Sequence, residues 1–263
     1  MNTIKAIFLG SGSAFTYGTG NYQSNVLLIN NRNEKLLIDC GSDLRFSLHD
    51  AGYSHLDITD IYISHLHSDH VGGLEYMGFC TKFNPNCDRP KIYLSKDIAK
   101  DLWEKTLSGG MGSIQGDITN IESFFDLQPV PKNGSFHWSG IEFELVRVTH
   151  IDNGYYMMPS YGLFFTIEGQ KIFFTTDTQL CWQSLQSYYE AADLIFQDCE
   201  ISEYPTGVHA HYQQLRELPS EIKSKIWLYG YQPIELPNAK DDGFRGFVKC
   251  RQSFTFGKKA AVI

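Results

Sequence analysis

The sequence lacks any long hydrophobic run and any excess of positive charge. No apolar stretch approaches the roughly 20 residues that a membrane-spanning helix needs, and no secretory signal is recognisable near the start, so we expect a cytoplasmic protein without membrane association. Lys and Arg number 22 against 30 Asp and Glu, which gives a formal net charge of -8. This balance argues against binding of long nucleic acid, because proteins that grip its phosphates present a basic face. It does not exclude a small anionic substrate, since metal ions can supply local positive charge.

The cysteines lack the paired spacing of a metal site or a redox motif. They stand at Cys40, Cys80, Cys87, Cys181, Cys199 and Cys250, and none of them forms a Cys-x-x-Cys pair. Their even number would permit disulfides, but the absence of a secretory signal favours reduced thiols in a cytosolic protein.

Nothing in the composition divides the chain. The residues are 42% hydrophobic and 20% charged, as in a soluble globular protein, and no linker interrupts the 263 residues. This length supports a substantial core. We therefore expect a single domain over residues 1–263, with 258–263 as a loose tail.

Short apolar runs alternate with helical patterns in both halves of the chain. Helical patterns cover residues 44–51, 74–83, 96–107 and 184–191, and the Gly-rich residues 108–116 are expected to form a mobile loop or lid. Because hairpins are mixed with the alternating strands and helices, we expect mixed sheets between outer helices, not a doubly wound parallel fold. The predicted strands are 4–9, 26–29, 36–38, 61–63, 92–94, 124–130, 135–138, 141–150, 163–167, 171–175, 193–196 and 226–229.

One stretch organises the rest of the chain. The apolar run Ile61–Ile63 indicates a buried strand, and His65, His67, Asp69 and His70 follow it within six residues. Imidazole suits zinc and carboxylate suits harder divalent ions, so this set predicts a metal site. A lone His is usually a surface or core residue, but four clustered titratable groups would otherwise need unusual pairing.

Two later predicted strands also end in metal-capable residues, His150 and Asp177. Strand ends hold side chains rigidly while loops admit a substrate. Taken singly each signal is weak, because a strand-end Asp is often a turn residue. Together with the cluster these residues supply six ligands, enough for two ions about 3.5–4 Å apart that share one carboxylate.

The same residues resemble a known family. The stretch from His65 to His70 matches the HxHxDH signature of the metallo-β-lactamase-fold hydrolases, and residues 9–14, 37–41, His150 and Asp177 follow that family's order. Within it, the chain is similar to the RNase Z-like phosphodiesterases and, more narrowly, to the phage anti-Pycsar proteins, which degrade cyclic mononucleotides such as cCMP and cUMP. The narrower likeness lies in residues 72–76, 153–155, 158–160, 175–179, 197–200 and 207–212.

The resemblance implies a fold and a ligand set. The fold is an α+β four-layer αββα sandwich, in which two mixed β-sheets are flanked by helices. Two divalent ions are implied, with zinc as the first expectation and manganese as the alternative, and Asp177 would bridge them. The implied ligands are His65, His67, Asp69, His70, His150 and Asp177.

One position departs from the family pattern. The family usually closes the second ion site with a His after its last core strand, whereas this strand runs from Trp227 into Gly230 and Tyr231. Because glycine has no side chain, we expect the second ion to bind weakly or to be absent unless water, His209 or His211 substitutes. Two consequences are open: an enzyme of reduced activity, and a cyclic-nucleotide-binding protein that has lost its activity.

The implied chemistry is hydrolysis of a phosphodiester by hydroxide held on the metal. A divalent ion lowers the pKa of bound water to about 7, so hydroxide is available at neutral pH. Asp69 would orient the nucleophile and receive its proton, and a general acid would protonate the leaving alkoxide. His209 and His211 are the candidates for this acid, and by analogy with RNase Z we favour His209, tethered by Asp198. The alternative is two solvent-facing loop histidines.

The expected substrate is a small cyclic nucleotide, with cCMP and cUMP first and cAMP and cGMP also considered. The chain has no long basic arm of the kind with which RNase Z holds tRNA, so RNA 3′-end cleavage is the alternative activity. The aromatic candidates for stacking on a base are Tyr155, Tyr156, Tyr161 and Tyr212. The resemblance also implies a homodimer in which a loop of one subunit closes the other's pocket, and residues 108–116 are the candidate loop.

Overall fold

Two large β-sheets form the centre of the computed structural model, which describes residues 3–18 and 20–257. The predicted tail at 258–263 lies outside the described residues. The strands are β1 (Ile4–Phe8), β2 (Val26–Asn30), β3 (Lys35–Ile38), β4 (Asp60–Ile63), β5 (Lys91–Ser95), β6 (Ser113–Ile114), β7 (Asp117–Ile118), β8 (Asp126–Val130), β9 (Ser135–Trp138), β10 (Ile141–Val148), β11 (Ser160–Ile167), β12 (Gln170–Phe174), β13 (Leu194–Asp198), β14 (Ile226–Tyr229), β15 (Gly246–Phe247) and β16 (Ser253–Phe256).

The two sheets share one pairing pattern. The first has the order β16-β1-β2-β3-β4-β5-β8, and the second has the order β15-β14-β13-β12-β11-β10-β9. In each sheet three antiparallel pairings are followed by three parallel ones, from β3 onward in the first sheet and from β12 onward in the second. The expectation of mixed sheets is confirmed.

Helices cover the outer face of each sheet. They are α1 (Leu44–Asp50), α2 (Ser68–Val71), α3 (Leu74–Lys82), α4 (Lys96–Asp101), α5 (Ser108–Met111), α6 (Trp182–Ala191), α7 (Tyr212–Arg216) and α8 (Ser220–Lys223). The apolar faces of α1, α3 and α4 pack on the first sheet, and those of α6, α7 and α8 pack on the second. A third core, rich in phenylalanine, fills the space between the sheets. This is the predicted four-layer αββα sandwich.

The parallel strands bring polar residues to one edge of the sandwich. Parallel strands end at the same edge of a sheet, so the residues that follow them become neighbours. Asp39 follows β3 and His65 follows β4, while Asp177 follows β12, Asp198 ends β13 and Gly230 follows β14. The strand order therefore assembles the site from segments that are far apart in the chain.

The Gly-rich residues 108–116 differ from the predicted loop. A turn of π-helix at Leu102–Leu107 continues α4 into α5, and the Met111 side chain is fully buried. The backbone at Gly110 lies so close to Glu75 that an added Cβ would stand 2.4 Å from the Glu75 carboxylate. Glycine here permits close helix packing, so the loop prediction is wrong for 108–111, and only the hairpin of β6 and β7 follows it.

The described part of the chain has two further general features. None of its helices combines the length and the hydrophobicity needed to cross a bilayer. All six cysteines are free thiols, and Cys40 and Cys199 are buried. Burial raises the pKa of both buried thiols well above the usual value.

Candidate metal centre

The HxHxDH stretch forms the turn between β4 and α2. His65 lies in the extended backbone after β4, and His67 is the residue that precedes the first turn of α2. Asp69 and His70 belong to that turn and are nearly buried, as is His65. The change from strand to helix inside six residues turns all four side chains toward the same edge of the sheet.

Asp39 fixes this turn, and the sequence reasoning did not assign it a role. Its Oδ1 accepts a hydrogen bond from the Ser64 backbone N–H at 2.8 Å, and its Oδ2 accepts one from the Ser64 hydroxyl at 2.8 Å. His70 Nδ1 lies 2.7 Å from Asp39 Oδ2. A carboxylate on Nδ1 orients the ring and leaves Nε2 for a ligand. The only signal was its place in the family-like segment 37–41.

Three imidazoles converge on one point. His67 Nδ1 lies 3.1 Å from His65 Nε2 and 3.2 Å from His150 Nε2. Nitrogen ligands about 2.0–2.1 Å from a tetrahedral zinc ion stand about 3.3 Å apart, so this spacing fits such an ion. His150 Nδ1 is held by the Val208 carbonyl oxygen at 2.8 Å, which turns Nε2 toward the cluster.

The carboxylates stand beside this group. His70 Nε2 lies 3.1 Å from Asp69 Oδ2 and 3.2 Å from Asp177 Oδ2, and Asp177 Oδ2 lies 3.8 Å from His150 Nε2. His70 Nε2 is buried and has no hydrogen-bond partner in the described structure. A buried ring nitrogen without a partner, between two carboxylates, fits a ligand of a cation. The structure thus brings all six predicted ligands together.

The ionisation of two of these groups suits a metal site directly. Burial lowers the pKa of His65 well below its usual value, and burial also lowers that of His67. Both rings are therefore neutral at pH 7, which is the form that binds metal. His70 differs: burial would lower its pKa, but the charges of the neighbouring carboxylates, Asp177 first, raise it well above the usual value, so an ion would have to replace its proton. Burial would raise the pKa of Asp177, but the charge of His70 outweighs it and holds that pKa well below the usual value.

His209 lies against the cluster and is paired with Asp198. His209 Nδ1 is 2.7 Å from Asp198 Oδ2, and its ring centroid is 4.9 Å from that of His150. The Thr178 backbone N–H donates to the same Asp198 oxygen at 2.9 Å. Burial opposes the charged imidazole, but Asp198 outweighs it and raises the pKa of His209 to about 10. His209 therefore carries a proton at neutral pH.

His211 does not join the cluster. Its Nε2 lies 2.9 Å from the Ser202 carbonyl oxygen, and its Nδ1 accepts the Gln213 backbone N–H at 3.3 Å. With both ring nitrogens engaged, His211 caps the start of α7. The structure therefore does not bring His211 to the predicted ligands, and neither ring nitrogen is free to bind an ion.

Gly230 contributes no side chain, and its surroundings leave little room for one. Its φ is +79°, and an added Cβ would lie 2.6 Å from Asp198 Oδ1. That oxygen is buried and has no hydrogen-bond partner in the described structure. Of the two histidines considered as substitutes, only His209 lies with His150 and Asp177 in one group of potential ligand atoms, and it would have to lose its proton to bind an ion.

A cavity of about 920 Å³ has Leu66 of the HxHxDH stretch in its lining but none of the six predicted ligands, and we call it the side groove. Its walls include Leu66, which lies between two of the histidines, and Ile98, Thr106, Arg147 and Met157. It falls within the size range of ligand pockets, roughly 300–1,000 Å³.

The aromatic candidates for base stacking occupy different places. Tyr156 lines the side groove and is half exposed, whereas Tyr155 is fully exposed and lies outside its lining. Tyr161 and Tyr212 are buried, and Tyr212 packs in the outer core of the second sheet. Of the four, only Tyr156 is placed to touch a molecule in the groove.

Comparison with known proteins identifies the family. The family model described as "Anti-Pycsar protein Apyc1" matches residues 4–254. The chain belongs to this family. An anti-Pycsar protein Apyc1 of Paenibacillus harenae is 33% identical over 225 residues, which cover 85% of this chain and 88% of that protein. The protein of the same name from Bacillus phage vB_BsuM-Goe3 is 28% identical over 241 residues, which cover 88% of this chain and 90% of that protein.

Solved structures of more distant proteins share the fold. A diphosphatase from the PhnP family superposes with a TM-score of 0.74 at 18% identity, covering 97% of this chain and 98% of that one. The short form of human tRNase Z superposes with a TM-score of 0.65 at 16% identity, covering 95% of this chain and 98% of that one. These likenesses establish the metallo-β-lactamase fold. Together with the anti-Pycsar family membership and the His/Asp cluster, they support a metal-dependent hydrolase.

Proposed function

We propose that this protein is a metal-dependent phosphodiesterase that hydrolyses cyclic mononucleotides, cCMP and cUMP first and cAMP and cGMP as further substrates. The observation that carries the proposal is the convergence of six metal-capable side chains beside the paired His209 and Asp198, in a chain of the anti-Pycsar family. Its biological setting would be the cytoplasm, the host's if a phage encodes it, where such hydrolysis would end cyclic-nucleotide antiviral signalling.

The cluster would hold two divalent ions, zinc or alternatively manganese. When bound, they would neutralise phosphate oxygens and make hydroxide available near neutral pH. His65, His67 and His150 would form the first site, and Asp177 would be shared with the second. Because position 230 offers no side chain, we expect the second ion to bind more weakly than the first.

Two side chains would take part in the proton transfers. Asp69, beside His70 at 3.1 Å, is placed to orient the attacking water and to accept its proton. When the ring of the cyclic phosphate opens, the leaving ribose oxygen needs a proton. His209 carries one, and Asp198 holds its Nδ1, so Nε2 is the nitrogen that would donate. The product is a nucleoside monophosphate.

The test is turnover of cCMP and cUMP by the purified protein. We expect hydrolysis that chelator treatment abolishes and that added zinc or manganese restores. A His150→Gln variant should lose bound metal and activity, whereas His137→Gln, which changes an exposed histidine on β9, should keep both. No metal-dependent turnover of any of the four cyclic nucleotides would contradict the proposal. Cleavage of a precursor tRNA at catalytic protein concentration would favour an RNA endonuclease instead.

Gly230 favours one further candidate, a protein that binds cyclic nucleotides without hydrolysing them. Tight binding of cCMP by the metal-loaded protein together with absent turnover would support this reading. Counting bound ions per chain by elemental analysis would then show whether the second ion is missing.

We also propose that the protein acts as a homodimer. The hairpin of β6 and β7 extends from the Gly-rich residues 108–116 and carries Ile118, which is 88% exposed. An exposed apolar side chain on a short surface hairpin is suited to burial in a partner subunit.

A further inference from the structure

Another cavity lies where the chain passes from β15, at the edge of the second sheet, to β16, at the edge of the first. Its volume is about 630 Å³, and we call it the edge pocket. Its walls are β14 and β15, the segment 236–240 and the turn 249–252. Among the described residues that line it there is no predicted metal ligand, and His209 is absent as well. A molecule in the edge pocket would therefore occupy a place other than the metal centre.

Three basic side chains and no carboxylate stand among the described residues that line the edge pocket. Lys240 belongs to one wall, and Lys249 and Arg251 belong to the turn. All three are exposed, and none forms an ion pair or a side-chain hydrogen bond with another described residue. Asp50 lies within electrostatic reach of Arg251, but its Oδ2 accepts the Tyr22 hydroxyl at 2.6 Å. Three such cations, in a chain whose net charge is -8, favour an anionic ligand.

The backbone that carries two of these cations is held in one conformation. The Gln252 N–H donates to the Lys249 carbonyl oxygen at 2.9 Å, and the Lys249 N–H donates to Gln252 Oε1 at 2.9 Å. The Arg251 N–H donates to the Phe8 carbonyl oxygen at 2.7 Å, which fastens the turn to β1. Arg251 has a φ of +62°, a left-handed conformation that costs energy outside glycine and recurs where proteins clamp ligands. The turn therefore places both cations before a ligand arrives, which lowers the entropic cost of binding.

An aromatic ring lies beside the third cation. Gly246 has a φ of +132°, and an added Cβ there would stand 3.4 Å from Trp227 Cζ3 and 3.8 Å from Lys240 Cε. The indole and the stem of Lys240 are thus neighbours over this glycine. Trp227 is only partly buried, and Leu236 and Pro237 extend the apolar surface of the pocket. An aromatic face next to an ammonium group suits a flat ring that carries negative charge.

We propose that the edge pocket binds a small phosphate monoester that carries a flat aromatic or heterocyclic ring. Such a phosphate has a charge of about -1.5 to -2 at neutral pH, which three cations compensate better than they would a single carboxylate. The Arg251 guanidinium can donate two parallel hydrogen bonds to phosphate oxygens, and the two lysines add point charges. The ring would stack on Trp227. This site goes beyond the proposed function, and no step of that hydrolysis depends on it.

Calorimetric titration of the purified protein with phenylphosphonate tests the site. This compound joins a phosphate-like anion to a flat ring and has no ester bond to hydrolyse. We expect Lys249→Ala and Arg251→Ala each to weaken binding about tenfold, because each removes a charged hydrogen-bond donor from an exposed position. The matched control is Lys91→Ala, at an exposed position at the start of β5, which should bind like the wild type. Melting temperatures establish that the variants are folded.

Two further probes define the class of ligand. Inorganic phosphate should bind at least tenfold more weakly than phenylphosphonate, because it leaves the Trp227 ring uncovered. Benzyl alcohol, which has the ring without the charge, should show no measurable binding. Equal affinities for phosphate and phenylphosphonate, or binding of benzyl alcohol as tight as that of phenylphosphonate, would contradict the assignment of a ring-bearing phosphate monoester.

The metal centre is the competing site for an anion, and His150→Gln distinguishes the two. Removal of this predicted metal ligand should leave phenylphosphonate binding unchanged, and loss of binding would instead assign the anion to the metal centre. Absent binding to the wild type, or unchanged binding in both Lys249→Ala and Arg251→Ala, would also overturn the inference. Cyclic-nucleotide turnover enters none of these outcomes, so failure of the proposed function would leave the edge pocket to be judged separately.

Discussion

Two buried carboxylates, Asp39 and Asp198, each hold one histidine of the site by the same contact. The distance from the carboxylate oxygen to Nδ1 is 2.7 Å both for His70 and for His209. The contact fixes the ring and leaves Nε2 for the site. The two rings differ in their other neighbours, since His70 lies between Asp69 and Asp177 while His209 packs at a tilt against His150. The same carboxylate–imidazole pairing therefore orients His70, a predicted metal ligand, and His209, the predicted general acid.

Replacing His209 should affect substrates according to their leaving groups. We expect His209→Gln to reduce kcat for cCMP by about 100- to 10,000-fold, because the ribose alkoxide then leaves without a proton. For methyl p-nitrophenyl phosphate, whose nitrophenolate leaves without protonation, the loss should be much smaller. Steady-state kinetics on both substrates measure the difference. Equal losses, accompanied by a loss of bound metal in elemental analysis, would instead identify His209 as a metal ligand.

Asp198 should set the alkaline limit of activity. Its charge raises the pKa of His209 to about 10, so the protonated acid is present below that value and is lost as pH rises through it. Asp198→Asn removes this charge, so the pKa of His209 should fall and the alkaline limb of the kcat profile should shift to lower pH. An unchanged limb would show that His209 is not the group that titrates there.

Position 230 should tolerate glycine alone. A residue with a Cβ would need a φ of +79° and would meet Asp198 Oδ1 at 2.6 Å. We expect Gly230→Ala and Gly230→His each to lower the free energy of unfolding by about 1–3 kcal/mol, measured by urea denaturation, and to displace Asp198 from His209. Gly140→Ala is a control, because glycine has φ +74° there but an added Cβ meets no neighbour. Increased turnover by Gly230→His would contradict this expectation and would show that a missing imidazole limits the second ion.

At the scale of elements, the parallel pairing of β12 with β13 places two of the acidic residues. Phe174 pairs with Phe196 in this register, and their rings stack with centroids 4.4 Å apart. Phe196 also contacts Phe8 of the first sheet, at 5.1 Å between centroids. These rings join the sheets directly beneath the strand ends that lead to Asp177 and Asp198.

Removing a ring from this layer should destabilise the fold. We expect Phe196→Ala to lower the free energy of unfolding by about 3–5 kcal/mol, since it deletes fully buried apolar surface and leaves a cavity. Phe83→Ala is the matched control, because the Phe83 side chain is 64% exposed and should cost less than about 1 kcal/mol. Denaturant unfolding of both variants provides the comparison. Equal losses of unfolding free energy would mean that a ring between the sheets stabilises the fold no more than an exposed ring does.

At the scale of the whole molecule, the net charge of -8 and the local cations of the side groove point to small anionic ligands. The acidic balance disfavours a polyanion, while Lys132 and Arg147 of the side groove form no ion pair with a carboxylate of the described residues. Exposed apolar side chains such as Ile118 add a second feature of the whole molecule, a surface suited to a partner subunit.

Sedimentation equilibrium should give twice the chain mass of 30.0 kDa. We expect Ile118→Glu, at the β6–β7 hairpin, to shift the protein toward the monomer, because it would bury a charge in the interface. Phe46→Glu makes the same change at an exposed position on α1 and should leave the mass unchanged. A monomeric wild type, or dimers in both variants, would exclude the hairpin as the interface.

The sequence alone predicted the ligand set and determined the fold. His65, His67, Asp69 and His70 stand close together in the chain, so their chemistry is visible without a structure, and the ends of two later predicted strands added His150 and Asp177. Apolar runs that alternate with helical patterns predicted mixed sheets between outer helices, and the family resemblance implied the four-layer arrangement. These signals come from residues that are neighbours in the chain, so they can be recognised without a structure.

Only the tertiary structure decided how these residues are held. Asp39 contacts His70, which lies 31 positions further along the chain, and β16 near the end of the chain pairs with β1 near its start. The sequence reasoning anticipated neither contact. The sequence left His211 as the less favoured candidate beside His209, and the structure shows its ring capping α7. The close approach of Asp198 to Gly230 is likewise visible only in the structure. Such roles depend on which distant segments become neighbours, and residue type and spacing along the chain do not encode that.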